Sequence, residues 1–508
     1  MIRRPLLATP FLLALATAPL ASAADAPAAG GMAPAAGAPA AAKPAAPALP
    51  PFRLDEAVAR ALDKNFDLQL QRYSVRSASD SVVIADAAYG TPTATASATA
   101  TGGRSAALGA VTPGSSTDSL SPRAGLSQKM DSGATLGLGL GLDRSATALG
   151  TTPYAGSIAL SVRQPLLQGA GTAVNRAARD RARLGVKAAD LGFKSSVLTV
   201  VHDVEFAYYN LVFAREQLGV RQFSLDVAQR LLDENRTRLQ AGDRTELDVL
   251  QSSVAVGNAR LAVVTAVQSV RDREDALLKL IGRFAFDTPV GPVALGDESV
   301  PDVSVPRSYG LARAGQPDLL SAQINLSQLR LDVLTADNSR RPSLDLAGGL
   351  NLASRERSYP EAATQLFTAR GESWSLGLNL TLPWGLKAEN ARYRQAVTSL
   401  DSAQTRFEQL DQNLLAQVRT AVRAVETGKE SLAVATSTRD LSQQTYDREK
   451  ARYDAGLSTV RLLRDAEADL NSAKISELQL RVSLRQALAE LARLETTSLQ
   501  RYQIKLEP

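Results

Sequence analysis

The chain of 508 residues has no cysteine. Disulfides, thiolate catalysis, cysteine-ligated zinc and a lipidated N-terminal cysteine are therefore excluded. Histidine occurs once, as His202, so a metal or general-base site would rest on carboxylates and lysines. Aromatic residues make up 5 % of the chain, which argues against base stacking and against a large aromatic-lined ligand pocket. Neither sign of charge prevails: 57 basic residues stand against 52 acidic ones, a net charge of +5. That balance does not point to nucleic acid. Beyond the first 20 residues no run of 18 apolar residues occurs, so a membrane role would need a closed β-barrel rather than a helical bundle. With no nucleophile motif, metal cluster or phosphate-cradling loop, an exported hydrolase is disfavoured. No enzymatic activity, metal or cofactor is expected.

What is present begins with a secretion signal. Arg3 and Arg4 precede an apolar run from Leu6 to Leu20, and Ala21-Ser22-Ala23 fits the small-x-small rule for cleavage after Ala23. Residues 24–51 are almost all Ala, Pro and Gly, a leader that cannot bury enough apolar surface to order itself.

Residues 54–89 then predict a helix, with Asp55 and Glu56 in a first turn where negative charge suits the helix dipole. From Thr93 the period becomes two: Thr93, Thr95, Ser97 and Thr99 alternate with Ala94, Ala96, Ala98 and Ala100. Further alternating pieces at 134–143 and 155–163 predict strands. A long helix over 175–241 repeats Val197, Val204, Leu211, Leu218, Leu225, Leu232 and Leu239 at one heptad position, the signature of coiled-coil packing. Ala241-Gly242 stops it, glycine being favoured where a helix ends in a left-handed conformation. A return helix over 246–281 repeats Val249, Val256, Val263, Val270 and Leu277.

After an irregular connector the pattern restarts: a helix over 309–340, weak alternation over 344–352, a loop over 354–371, and clear alternation over 374–382. A long helix follows over 390–455, then Gly456 and a return helix to 494, with Glu477 interrupting its leucine seam. The organisation is thus a signal (1–23), a leader (24–51), a first repeat (52–282), a connector (283–308), a second repeat (309–495) and a tail (496–508). At 1.5 Å per residue each long helix spans roughly 100 Å, and a return helix stacked on the next short helix gives about the same length. Four or so strands per chain cannot close a membrane barrel, since the smallest have about eight. Oligomerisation is implied.

Together these features resemble the TolC-type outer-membrane efflux proteins over about residues 52–495. The residues that carry the resemblance are Leu54-Asp55-Glu56-Ala57 through Asn65, Gln164-Pro165-Leu166-Leu167, Arg238-x-x-Ala241-Gly242-x-x-x-x-Leu247-Asp248-Val249-Leu250, and the duplicated Arg452-x-x-Ala455-Gly456. The resemblance implies a fold class: mainly α with a β part, a homotrimer whose strands share one transmembrane barrel and whose helices form a periplasmic tunnel. It implies an outer-membrane exit duct that passively conducts substrate, docking onto a periplasmic adaptor linked to an inner-membrane pump or a secretion ATPase. The alternative from the residues is such an adaptor itself. Adaptors carry one helical hairpin, and the duplication argues against this. The departure from the family pattern is an extra alternating segment within 104–155, which leaves the number of strands per chain open.

The resemblance also assigns candidate sites. The adaptor-docking tips map onto Arg238, Ala241 and Gly242, and onto Arg452, Ala455 and Gly456. A gate of acidic residues maps onto Asp465, with Arg244 and Asp248 in the matching place of the first repeat. Read from the residues alone, the glycines are helix stops and the charges an ordinary solvated face. His202, beside Asp203, reads as structural rather than as a ligand. Trp374, Tyr359 and Trp384 flank a strand and suit either a membrane interface or simple packing.

Overall fold

The computed structural model describes residues 50–504, apart from 105–115, 148–153, 243–244, 286–287, 289, 297–300, 366–367, 369–370 and 383. The expected cleavage at Ala23 lies outside the described residues. In chain order the elements are α1 (Leu54–Lys64), α2 (Phe66–Gly90), β1 (Thr93–Arg104), β2 (Ser116–Lys129), β3 (Thr135–Thr147), β4 (Tyr154–Pro165), α3 (Thr172–Gln240) and α4 (Glu246–Leu280). The second repeat supplies α5 (Val305–Gly315), α6 (Pro317–Asn338), β5 (Ser343–Glu356), α7 (Tyr359–Gln365), β6 (Gly371–Thr381), α8 (Lys387–Asp454) and α9 (Val460–Glu495), followed by α10 (Ser498–Arg501).

Where the sequence predicts one helix over 54–89, the chain forms two. Asn65 leaves the helical region with ψ 133°, and its side-chain oxygen accepts hydrogen bonds from the backbone N–H groups of Asp67 and Leu68. It is the N-cap of a new helix, and its amide donates to the carbonyl of Leu280, tying the joint to the end of α4. The helix predicted over 309–340 also divides. Gln316 is extended and Pro317 opens α6, because proline is accepted at the first helical position and disfavours helix in the residue before it.

The heptad positions explain the bundle. Val197, Val204, Leu211 and Leu232 are buried along α3, and their counterparts Val270 and Leu277 on α4 are buried too. One core gathers Val58, Leu68, Val201, Val204, Leu211 and Leu277; another gathers Ala312, Leu319, Val418, Val422, Val425 and Leu491. Glu477, which breaks the leucine seam of α9, is buried and held by Arg481 at 2.7 Å and Arg439 at 3.4 Å. Its charge is matched across α8 and α9 rather than left unpaired. By length and composition alone α4 is apolar enough to cross a membrane, although only 11 % of its most apolar window is buried. Besides the seam that includes Val270 and Leu277, it carries a second one, Leu247, Leu250, Val254, Leu261 and Val264, all exposed. At the other end of the chain Tyr502 donates its hydroxyl to buried Glu205 of α3 at 2.6 Å.

All six strands form one antiparallel sheet in the order β1-β2-β3-β4-β5-β6, and β4 pairs with β5 to join the two repeats. Among the described residues β1 and β6 each pair on one side only. The sequence pattern misses β2, whose alternation is diluted by Ser and Gly and interrupted by Pro122. Proline has no N–H to donate, and the β2–β3 pairing skips Ser121 and Pro122. The loop expected over 354–371 is also partly structured: β5 continues to Glu356, and α7 packs against it through Ser354 Oγ, which donates to the carbonyl of Ala362 at 2.6 Å.

Candidate functional site

Period-two sequence gives the sheet two chemically different faces. One row across it reads Ala94, Leu126, Leu138, Leu160, Leu350 and Trp374. The neighbouring row on that face reads Ala96, Ala124, Leu140, Ile158, Leu352 and, on β6, Glu372. Most of these large side chains are uncovered; Leu138 is 43 % exposed and Trp374 80 %. The opposite face reads Thr93, Ser127, Gly137, Ser161, Gly349 and Ser375. It also carries the ion pairs Arg123–Asp143 at 3.3 Å and Arg163–Asp345 at 2.6 Å. Trp374 stands toward the far end of β6 and Trp384 just past its helical end, 98 % exposed. Tyr359, by contrast, packs edge-on against Tyr154 at 4.6 Å.

At the other extreme of the chain's long axis the helices turn. Gly242 and Gly456 have φ of +84° and +73°. The Gly456 N–H bonds to the carbonyl of Tyr453 and the Leu457 N–H to that of Arg452, the paired bonds that close a helix through a left-handed residue. The structure brings the two tips together: the Arg238 guanidinium of α3 lies 5.3 Å from the ring centre of Tyr453 on α8, while also pairing with Glu234. Tyr453 is buried, and its one sequence signal is its place inside the Arg452-x-x-Ala455-Gly456 motif. Arg452 is exposed and pairs with Glu449. Ala241 and Ala455 are the C-cap residues.

The expected gate residues do not form one cluster. Arg244 lies outside the described residues. Asp248 is committed to the start of α4, where its carboxylate accepts from the Thr245 N–H at 3.0 Å and the Thr245 hydroxyl at 2.8 Å in a capping box. Asp465 is exposed, with Arg461 of its own helix 3.9 Å away. The acid sequence reasoning missed is Glu467, two positions on. It is buried, accepts hydrogen bonds from Ser224 of α3 and Asn471 of α9, and borders a cavity of about 270 Å³ between α3, α4 and α9. Burial raises its pKa above the usual carboxylate value. Its only sequence signal is its place in the heptad, beside Ala466.

His202 joins α3 to α9. Its Nε2 lies 3.0 Å from Glu490 and its Nδ1 3.1 Å from Asp203. Burial disfavours the charged ring, but the two carboxylates outweigh it and raise its pKa to about 9. Burial likewise opposes charge on Glu490, and Arg493 with His202 overcomes it, drawing that carboxyl down to about 2. This is a structural ion-pair cluster. Among the described residues no group of three or more His, Cys, Asp or Glu is placed to hold a metal ion.

A family model described as outer membrane efflux protein matches residues 134–283 and 308–495, more than half of the chain. The chain belongs to the outer membrane efflux protein family. Its relatives include the pyoverdine export outer membrane proteins OpmQ of Pseudomonas aeruginosa, 23 % identical over 59 % of this chain and 62 % of that protein, and of Pseudomonas putida, 26 % identical over 62 % and 66 %. The matched stretch thus spans less than two thirds of either relative's length. Among solved structures, the Campylobacter jejuni CmeC outer membrane channel aligns with a TM-score of 0.67 at 18 % identity, covering 88 % of this chain and 89 % of that one. The fold is therefore that of an outer membrane efflux protein. The family match begins at Ala134, immediately before β3, so α1, α2, β1 and β2 fall outside it.

Proposed function

We propose that this protein is an outer-membrane exit duct of a tripartite efflux or type I secretion assembly, conducting substrate passively from an inner-membrane pump across the periplasm and outer membrane. One observation carries the reading. A sheet with an uncovered leucine-rich face, a hydroxyl- and glycine-lined face and two edges left unpaired among the described residues stands at the end of helices about 100 Å long. Water solvates such an apolar face poorly, whereas lipid suits it, and lipid demands that the edges be paired. Closure between copies meets that demand, in a homotrimer as the resemblance implies. Trp374 and Trp384, near opposite ends of β6, suit the two membrane interfaces. A lone periplasmic adaptor has no use for such a sheet.

The mature chain begins at Ala24. The tips formed by Arg238, Ala241 and Gly242 and by Arg452, Ala455 and Gly456 are the surface that meets the periplasmic adaptor, with Arg238 on Tyr453 setting their relative position. Asp465, exposed and only loosely paired, is the acid available for a ring at the closed end; Asp248 is occupied by its capping box. Membrane fractionation followed by electrophoresis of heated and unheated samples tests the reading. Heat-sensitive trimers in the outer-membrane fraction are expected, and recovery as a soluble monomer would sink it.

A further inference from the structure

We infer that each copy contributes all six strands to the channel wall, 18 in a trimer, and that the wall closes by pairing β6 of one copy with β1 of the next. The inference rests on the exit-duct reading and specifies the width and the seam of its outer end. Both repeats lie in one continuous sheet, but the first sends in four strands and the second two. The question is whether β1 and β2 belong to the wall or fold aside as a plug or flap.

The faces favour the wall. Ala94 and Ala96 of β1 lie in the same rows as Leu126, Leu138, Leu160 and Leu350, and Ala124, Leu140, Ile158 and Leu352. Thr93 and Thr95 lie in the rows of Ser127, Gly137, Gly125 and Gly139. The apolar and hydroxyl faces therefore both extend from β6 to β1, the apolar one interrupted by Glu372 near the outer end of β6. A hairpin inside the lumen would be wetted on both sides and would have no use for an apolar face. A membrane wall needs this alternation on every strand.

The edges suit one another. β1 follows α2 and leads away from the helices, whereas β6 leads back into α8. An even number of alternating strands sets β6 antiparallel to β1 of the next copy, and the ladder continues without a change of direction. Neither strand contains proline, so every residue can donate its N–H. The side chains fit as well. The apolar face of β1 is alanine at 94, 96, 98 and 100, and that of β6 is Trp374, Leu376, Leu378 and Leu380, each at least 65 % exposed. Small residues at one edge leave room for large ones at the other.

Barrel diameter grows with strand number. At about 4.8 Å between strands and a tilt near 45°, 18 strands give a backbone diameter of roughly 39 Å, against roughly 26 Å for 12. The outer end is then a wide, hydroxyl-lined mouth, and the sieve lies at the helical tips.

The absence of native cysteine makes the seam directly testable. Ser97→Cys in β1 is combined in turn with Ser373→Cys, Ser375→Cys, Gly377→Cys and Asn379→Cys in β6, all on the polar face. Each double variant is oxidised in outer membranes and run without reductant. At least one pair is expected to shift the monomer band to covalent dimer and trimer, reversed by reductant. The same β6 series combined with Gly139→Cys in β3 is expected to give no shift. Links from β3 and none from β1 would overturn the inference and leave the duct reading standing, with four strands per copy. Heat-sensitive trimers with no link from either strand would overturn it too. Loss of the trimer from outer membranes in the cysteine-free parent would instead sink the parent reading. A cryo-EM map of the detergent trimer counts the strands directly: 18 supports the inference and 12 overturns it.

Discussion

α3 and α8 contain 69 and 68 residues, and α4 and α9 contain 35 and 36, yet the first repeat sends four strands into the sheet and the second two. The contrast shows where the fold constrains length. A helix packed along its neighbours makes contacts on every turn, and inserting one residue rotates all that follow by about 100°. A hairpin added at a sheet edge leaves the existing ladder in place. The duplication has kept the rods matched while the sheet has room to differ.

The largest test of that equivalence is in the cores. Leu211 and Val425 are separated by 214 positions, as are Gly242 and Gly456, and both are fully buried. Leu211→Ala should cost about 2–5 kcal/mol. Val425→Ala removes less and should cost roughly 2 kcal/mol, from about 0.8 per buried carbon plus a small cavity. Thermal denaturation of the trimer should rank them in that order. A reversed order would mean that the two cores do not carry comparable load.

The tips come next. A side chain at Gly456 or Gly242 meets nothing within 4 Å, so only the positive φ resists it. Gly456→Val should cost about 1–2 kcal/mol locally. Trimers should form, while export with the cognate adaptor falls about tenfold if roughly 1.4 kcal/mol is lost at the docked tip. Normal export would remove the tip from the docking surface.

These contrasts also show what the sequence could reveal. Long heptads and glycine stops are local and repeated, so both hairpins and the duplication were legible. The joints at Asn65 and Gln316 hid inside continuous apolar periodicity, because a cap needs only one residue. β2 was hidden by Pro122 and by serines that alternate poorly. At the tips the glycines were legible by type. The Arg238–Tyr453 contact and the burial of Glu467 were not, since both depend on how one hairpin lies against the other.

Asp248 and Asp465 provide a finer comparison, because similar acids near the two tips are held differently, one in a capping box and the other exposed. Asp248→Asn weakens the capping box, and such losses typically cost about 0.5–2 kcal/mol. It should lower thermal stability and leave ion selectivity unchanged. Asp465→Asn should do the reverse, reducing cation preference in single-channel recordings at low salt. The effect should fade near 1 M, where screening shortens the reach of charge to about 3 Å. Unchanged selectivity at low salt would mean that Asp465 does not face the pore.

The last contrast lies where the repeats have no correspondence at all. The position matching His202 in the second repeat is Ala416, so the ion cluster of His202, Glu490, Asp203 and Arg493 is peculiar to one side of the bundle. Folding raises the His202 pKa from 6.5 to about 9. The protonated ring therefore stabilises the fold fully below pH 6.5, and this contribution is lost as pH climbs to about 9. Folding lowers Glu490 from 4.5 to about 2. Its contribution is present above pH 4.5 and is lost as pH falls toward 2. The pair is thus most stabilising between pH 4.5 and 6.5. In His202→Gln the side chain keeps a donor for Glu490 but has no proton to lose. The thermal midpoint of the wild type should decline between pH 6.5 and 9, and that of His202→Gln should decline less over the same interval. Matching slopes would show that the alkaline loss arises elsewhere in the bundle and that His202 contributes packing alone.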